Sequence, residues 1–171
     1  MILRVLFFGH NPECFAQNNL EENGGSGMRL STKGQYAVRA MLVLTMRQDE
    51  APIALRRISE LEDISAQYLE QIFVDLRKAK LVEGVRGASG GYQLARPADQ
   101  ITAGDILQAV EGPIAPVECV RRKQPEVCER ANICITRELW KRLRDSMSAV
   151  LNTTTLADLA NTKITHDTEE V

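Results

Sequence analysis

Two short amphipathic stretches flank a three-residue turn in this chain, and a glycine-rich hairpin follows at once; few folds accept that order. The first stretch, Leu55–Glu62, sets Leu55, Ile58 and Leu61 at helical spacing, and the turn is Asp63-Ile64-Ser65. The second runs from Ala66 to about Ala79 and places Leu69, Ile72, Phe73 and Leu76 on one apolar stripe by the i, i+3, i+4, i+7 rule. Two helices around such a turn are a helix-turn-helix candidate. Leu81–Arg86, the tip Gly87-Ala88-Ser89-Gly90-Gly91 and Tyr92–Arg96 then predict a β-hairpin whose glycines tolerate positive φ. A hairpin directly after the second helix makes a wing, although the same pattern would serve a hairpin that only turns the chain.

The flanks extend this unit. Ser31 or Thr32 predicts an N-cap for a helix to about Gln48, with Ala37, Ala40, Met41 and Leu44 as its buried stripe, broken at Asp49 to Pro52. Thr102 caps Ala103–Glu111, which Gly112-Pro113 ends. Thr136 predicts the cap of a long helix from Arg137 to about Asn152, with Trp140, Leu143, Met147 and Val150 or Leu151 on one face, and Leu156, Leu159 and Ala160 suggest a last short turn. The expected fold is mainly α with a small β-hairpin wing, a winged helix-turn-helix domain plus a long C-terminal dimerisation helix. A helix of this kind is a natural dimer seam, and dimers suit paired DNA half-sites; packing on its own domain is the alternative.

Residues 1–27 differ from the rest, ending in Glu21-Glu22-Asn23-Gly24-Gly25-Ser26-Gly27. They are expected to be a disordered leader, with Met28 as the natural start if Glu-Glu-Asn-Gly-Gly reflects a translated ribosome-binding site. The expected organisation is then a DNA-binding domain over 28–112, a cysteine segment over 113–135, the dimerisation helix and terminal turn over 136–163 and an acidic disordered tail over 164–171. From Met28 onward the chain has 20 basic and 20 acidic residues, so net charge says nothing about nucleic acid. Distribution says more: Arg29, Lys33, Arg39 and Arg47 fall in 28–48 without an acid, which suits phosphate contact or a solvated helix face equally. No apolar run reaches the roughly 18 residues of a membrane span, and the start is too short for a secretory segment. The chain is expected in the cytoplasm, away from membranes.

If the second of the paired helices enters the major groove, its outward N-terminal side chains Gln67, Glu70 and Gln71 meet base edges. Gln can bond adenine in bidentate fashion and Glu can accept from cytosine N4, while a carboxylate near phosphates repels wrong sequences. Arg77, with Arg86 at the hairpin mouth and Arg29 before the first helix, would contact backbone or the narrow groove. An ordinary wet helix face is the competing reading.

Cys119-x8-Cys128-x5-Cys134 gathers three of the four cysteines in one polar segment. A reducing compartment argues against a disulfide framework, leaving metal binding or redox chemistry. Structural zinc usually takes four ligands in tight Cys-x2-4-Cys pairs, which this segment lacks, whereas iron-sulphur clusters accept looser loops. Arg121, Arg122, Lys123, Arg130 and Arg137 would offset the charge of a thiolate-ligated cluster.

The run Met28-Arg29-Leu30-Ser31-Thr32-Lys33-Gly34-Gln35-Tyr36-Ala37-Val38-Arg39-Ala40, the helix Tyr68-Leu69-Glu70-Gln71-Ile72-Phe73, the wing Arg86-Gly87 to Gly90-Gly91-Tyr92 and three cysteines before Leu139-Trp140 together resemble the IscR-like iron-sulphur regulators of the winged-helix Rrf2 family. The resemblance covers Met28 to about Asn161. It implies a homodimeric regulator of promoter DNA, a repressor by expectation, with Cys119, Cys128 and Cys134 as cluster ligands and Gln67, Glu70, Gln71 and Arg86 as DNA contacts. A 2Fe-2S cluster is expected over 4Fe-4S. Two departures concern the fourth ligand: Arg137 stands where IscR-like chains have histidine, and Gln35 where nitric-oxide-sensing relatives have aspartate. Glu138, Glu129 or Glu118, an external thiol or water would complete the site. A metal-free thiol switch and a small iron-sulphur carrier are the alternatives. No nucleophile-base pair, phosphate loop or histidine pair marks an enzyme.

Overall fold

The computed structural model describes residues 30–87, 89–121 and 133–162. The expectations for 1–27, Met28, Arg29, Ala88 at the wing tip, Cys128 and the tail 164–171 lie outside them. Helix α1, Thr32–Met46, opens on the Ser31 side chain, which accepts from the Gly34 amide at 3.1 Å. It ends two residues short of expectation because Gln48–Glu50 forms a separate 3-10 turn. Helices α2, Leu55–Glu62, and α3, Ala66–Lys78, bracket the turn, with Ser65 capping α3 by accepting from Tyr68 N at 3.3 Å. Strands β1, Val82–Val85, and β2, Gly91–Leu94, pair antiparallel in the register Val82 to Leu94 and Val85 to Gly91. Helix α4 spans Ala103–Glu111 behind a Thr102–Asp105 capping box, α5 spans Arg137–Thr153 and α6 spans Leu156–Asn161.

The core is built where the apolar stripes of α1, α3 and α4 meet. Ala37, Ala40, Met41 and Leu44 from α1 are buried against Leu69, Ile72, Phe73 and Leu76 of α3, with Ile106 and Val110 from α4. Each stripe has the width that one helix face can present to a partner, so periodicity alone put the right residues inside. On α2 the expectation failed in part. Ile58 is fully buried, but Leu55 is half-buried and Leu61 is 36% exposed, because a two-turn helix lying at the edge offers the core only one full position.

The wing is fastened on two sides. Phe73 of α3 meets the ring of Tyr92 of β2 edge-on, with centroids 4.7 Å apart. Ile53, before α2, exchanges backbone bonds with Tyr92: its amide donates to Tyr92 O at 2.9 Å, and Tyr92 N donates to Ile53 O at 2.8 Å. Ile53 thus acts as a one-residue third strand. Gly91 permits it, since a Cβ there would collide with the Ile53 carbonyl.

Helix α5 buries none of its residues. Trp140, Leu143 and Met147 are half-buried, while Leu139 and Val150 are 56% and 63% exposed. Thr136 does not cap it: its backbone is already helical, and its hydroxyl lies 3.2 Å from Cys134 Sγ instead. The chain then turns back, and α6 closes on the winged domain. Leu156 is fully buried, its amide donates to Ile101 O at 2.9 Å, and Ala103 N donates to Thr154 O at 2.9 Å. Among the described residues no helix is long and apolar enough to cross a membrane.

Candidate nucleic-acid interface and cysteine site

The α3 stripe that enters the core leaves the opposite face to solvent. Gln67, Glu70 and Gln71 are all exposed on that face, within two turns of the Ser65 cap. Val74 joins them, 41% exposed. It was not anticipated, and the signal was available: Val74 is the one apolar residue of α3's second half that falls outside the stripe. A methyl-bearing side chain there can meet a thymine methyl group. Arg77 is exposed in the last turn, and Lys80, at the corner before β1, is exposed with a left-handed backbone, φ +57°. Arg86 is exposed where β1 leaves the hairpin.

The basic first helix presents less free charge than its composition suggested. Lys33 Nζ meets Asp75 Oδ2 at 2.7 Å, Arg39 Nε meets Glu62 Oε2 at 2.7 Å and Arg47 Nη1 meets Glu50 Oε1 at 2.6 Å. Tertiary structure brings Asp75 and Glu62 from other helices to the first two, while Glu50 lies in the 3-10 turn just after α1. Arg39 also donates to the Glu62 carbonyl at 2.8 Å, which fastens α1 to the end of α2. The Lys33 hydrogen bond holds the Asp75 carboxyl below its ordinary range against desolvation, with the charge of Lys33 and the contact with Lys78 aiding it.

The cysteine segment is described at its two ends. Cys119 sits half-buried in the 3-10 turn Glu118–Val120, and that turn packs on α5. Arg144 of α5 secures it by donating from Nη1 to Val120 O at 2.9 Å. Cys134 is half-buried, and its carbonyl accepts from Arg137 N at 3.2 Å as α5 begins. Both thiols therefore belong to the frame of one helix. Cys128 and Glu129 lie outside the described residues, as does the side chain of Glu118. Glu138 is exposed and paired with Lys141 at 3.3 Å. Thiolate donors from a loose segment suit iron-sulphur chemistry, and Cys119 and Cys134 would hold such a cluster together with Cys128. Glu138 would have to leave Lys141 to join them.

A capped helix with a wet, partly methyl-lined outer face, braced by a wing carrying an exposed arginine, defines a DNA-binding winged helix-turn-helix protein. The chain belongs to the Rrf2 family, described as iron-dependent transcriptional regulators, whose pattern matches residues 30–162. It is 44% identical over 134 residues to the HTH-type transcriptional regulator CymR of Bacillus subtilis, covering 78% of this chain and 91% of that one. It is 43% identical over 134 residues to IscR of Yersinia pseudotuberculosis, covering 78% and 80%. The structure of B. subtilis CymR, the global cysteine regulator, superposes with TM-score 0.65 at 45% identity over 77% of this chain and 95% of that one. IscR of T. potens gives 0.63 at 38% identity over 80% and 88%. These relatives are regulators of transcription rather than enzymes.

Proposed function

We propose that this chain acts as a homodimeric, promoter-binding repressor whose occupancy of DNA is set by an iron-sulphur cluster, 2Fe-2S, held by Cys119, Cys128 and Cys134. The observation that carries this reading is the attachment of both described thiols to α5: Cys119 through Arg144 and Val120, and Cys134 through the first turn. A ligand shared by the two ends of the segment would fix that segment along α5. When bound, the cluster supplies a thiolate crosslink that oxidants, nitric oxide or iron shortage can break. The half-exposed apolar face of α5, with Leu139 and Val150 outermost, supports pairing with a second copy, so that α5 sets the spacing of two α3 helices. Gln67, Glu70, Gln71 and Val74 then read base edges, and Arg77 and Arg86 hold phosphates or the narrow groove. A hundredfold change in occupancy needs only about 2.7 kcal/mol of preference for one dimer geometry.

A second reading is a metal-free thiol switch. It is favoured by the Glu138–Lys141 pair, which already occupies the candidate carboxylate of α5, and by the likeness to a global cysteine regulator. Anaerobic purification with absorption spectra, followed by gel shifts on the protein's own promoter, separates the two. The cluster reading expects visible absorption that the Cys119→Ala/Cys128→Ala/Cys134→Ala variant lacks, and promoter affinity altered at least tenfold by cluster loss. A colourless wild type whose affinity follows thiol oxidation replaces it with the switch, and affinity indifferent to both removes the coupling.

A further inference from the structure

Lys33 lies in the first turn of α1, and its ammonium reaches two other helices at once. Nζ donates to Asp75 Oδ2 of α3 at 2.7 Å and to the carbonyl of Val110, in the last turn of α4, at 3.2 Å. One residue on, Glu111 Oε1 accepts from Ser31 Oγ at 2.7 Å, and the same Oγ caps α1 by accepting from Gly34 N at 3.1 Å. Gly34 is buried against the Glu111 carboxylate and Leu107, where a Cβ would collide. The beginning of α1 is therefore wedged between the end of α4 and the flank of α3. Asp75 stands one turn beyond Gln71 on α3. On the α4 side, the chain passes directly from Glu111 through Gly112, φ +79°, toward Cys119.

We infer that Lys33 is a positioning residue for DNA reading: by holding Asp75 and Val110 together it links the recognition helix to the point where the cysteine segment begins. A displacement of that segment pulls on the end of α4, and Lys33 passes the movement to α3. Asp75 is the receiving group, and the Ser31–Glu111 bond keeps α1 from slipping along α4. The inference rests on the regulatory reading of α3 and of the cysteine segment. It does not depend on which ligand or oxidation state the cysteines carry.

Reciprocity gives the test, because a linkage that lets the cysteine segment alter DNA binding must let DNA alter the cysteines. Reduced full-length protein is alkylated with a maleimide, with and without a duplex of its own promoter, and the rates at Cys119 and Cys134 are read by mass spectrometry. In the wild type, promoter DNA should change one rate by about fivefold or more, in the range of ordinary allosteric coupling. Read at promoter concentrations that saturate each variant, Lys33→Met should bring that ratio to within about twofold of unity, and Lys33→Arg should restore it. Asp75→Asn keeps the Lys33–Val110 bond and decides the matter if Lys33→Met does not fold. Wild-type ratios in folded Lys33→Met or Asp75→Asn overturn the inference, as does a wild type that binds DNA with no change in alkylation. A wild type that fails to bind its promoter at all instead overturns the regulatory reading beneath it.

Discussion

Asp63 turns the backbone left-handed at the end of α2, with φ +54°, where the chain leaves that helix for α3. Aspartate tolerates that conformation better than bulkier side chains do. The three-residue turn was legible because the apolar periodicities of the two helices stop on either side of it. Asp75 was not legible. It looked like one polar residue among several on α3, and only folding brings Lys33 to it from 42 residues away. That contact predicts a pH signature. Because the folded carboxyl titrates below its ordinary 3.8, Asp75 contributes stability that is complete above that value and is lost as pH falls through the lower folded one. Urea unfolding of wild type and Asp75→Asn should therefore differ at pH 6 and converge as the pH drops below about 4. An equal difference at pH 6 and in strong acid would remove the ion pair from the account.

Among elements, α3 could be read in both directions: its stripe named the core and its remainder the DNA face. Helix α5 was legible only as amphipathic. Periodicity names a face without saying what covers it, and here the winged domain covers it in part, leaving Leu139 and Val150 outermost. Dimerisation through that face predicts that Leu139→Glu and Val150→Glu lower the mass seen by light scattering from two chains to one, while circular dichroism is unchanged. Promoter affinity should fall by at least tenfold, since one half-site contact set is lost. A dimer that survives both substitutions would move the seam elsewhere. The cysteine segment was legible as a set of thiols on a polar stretch. Its attachment through Arg144 to Val120 O was not, because a guanidinium that binds a backbone carbonyl leaves no pairing signal in composition.

For the whole molecule, α6 is the element that changes the picture. In sequence Leu156, Leu159 and Ala160 suggested a last short turn, too short to be stable alone and silent about what it packs on. In space it closes the domain: Leu156 enters the core, Thr102 and Thr155 form a single antiparallel bridge, and α5 is thereby fixed to the winged domain at its far end. Leu156→Ala should cost about 2–5 kcal/mol in reversible urea unfolding with one cooperative transition, the range for a buried leucine. A loss below about 1 kcal/mol would mean that α6 only decorates the surface. The sequence by itself determined the order and type of the elements, because hydrophobic period, caps and glycine placement act over a few residues. It also exposed the thiols and the outward face of α3, since unsatisfied periodicity shows locally. Only the tertiary structure decided which charges cancel, that Ile53 and α6 brace the domain, and that Lys33 joins α1, α3 and α4. Those depend on contacts between segments tens of residues apart, whose partners are chosen by the packing of the whole core.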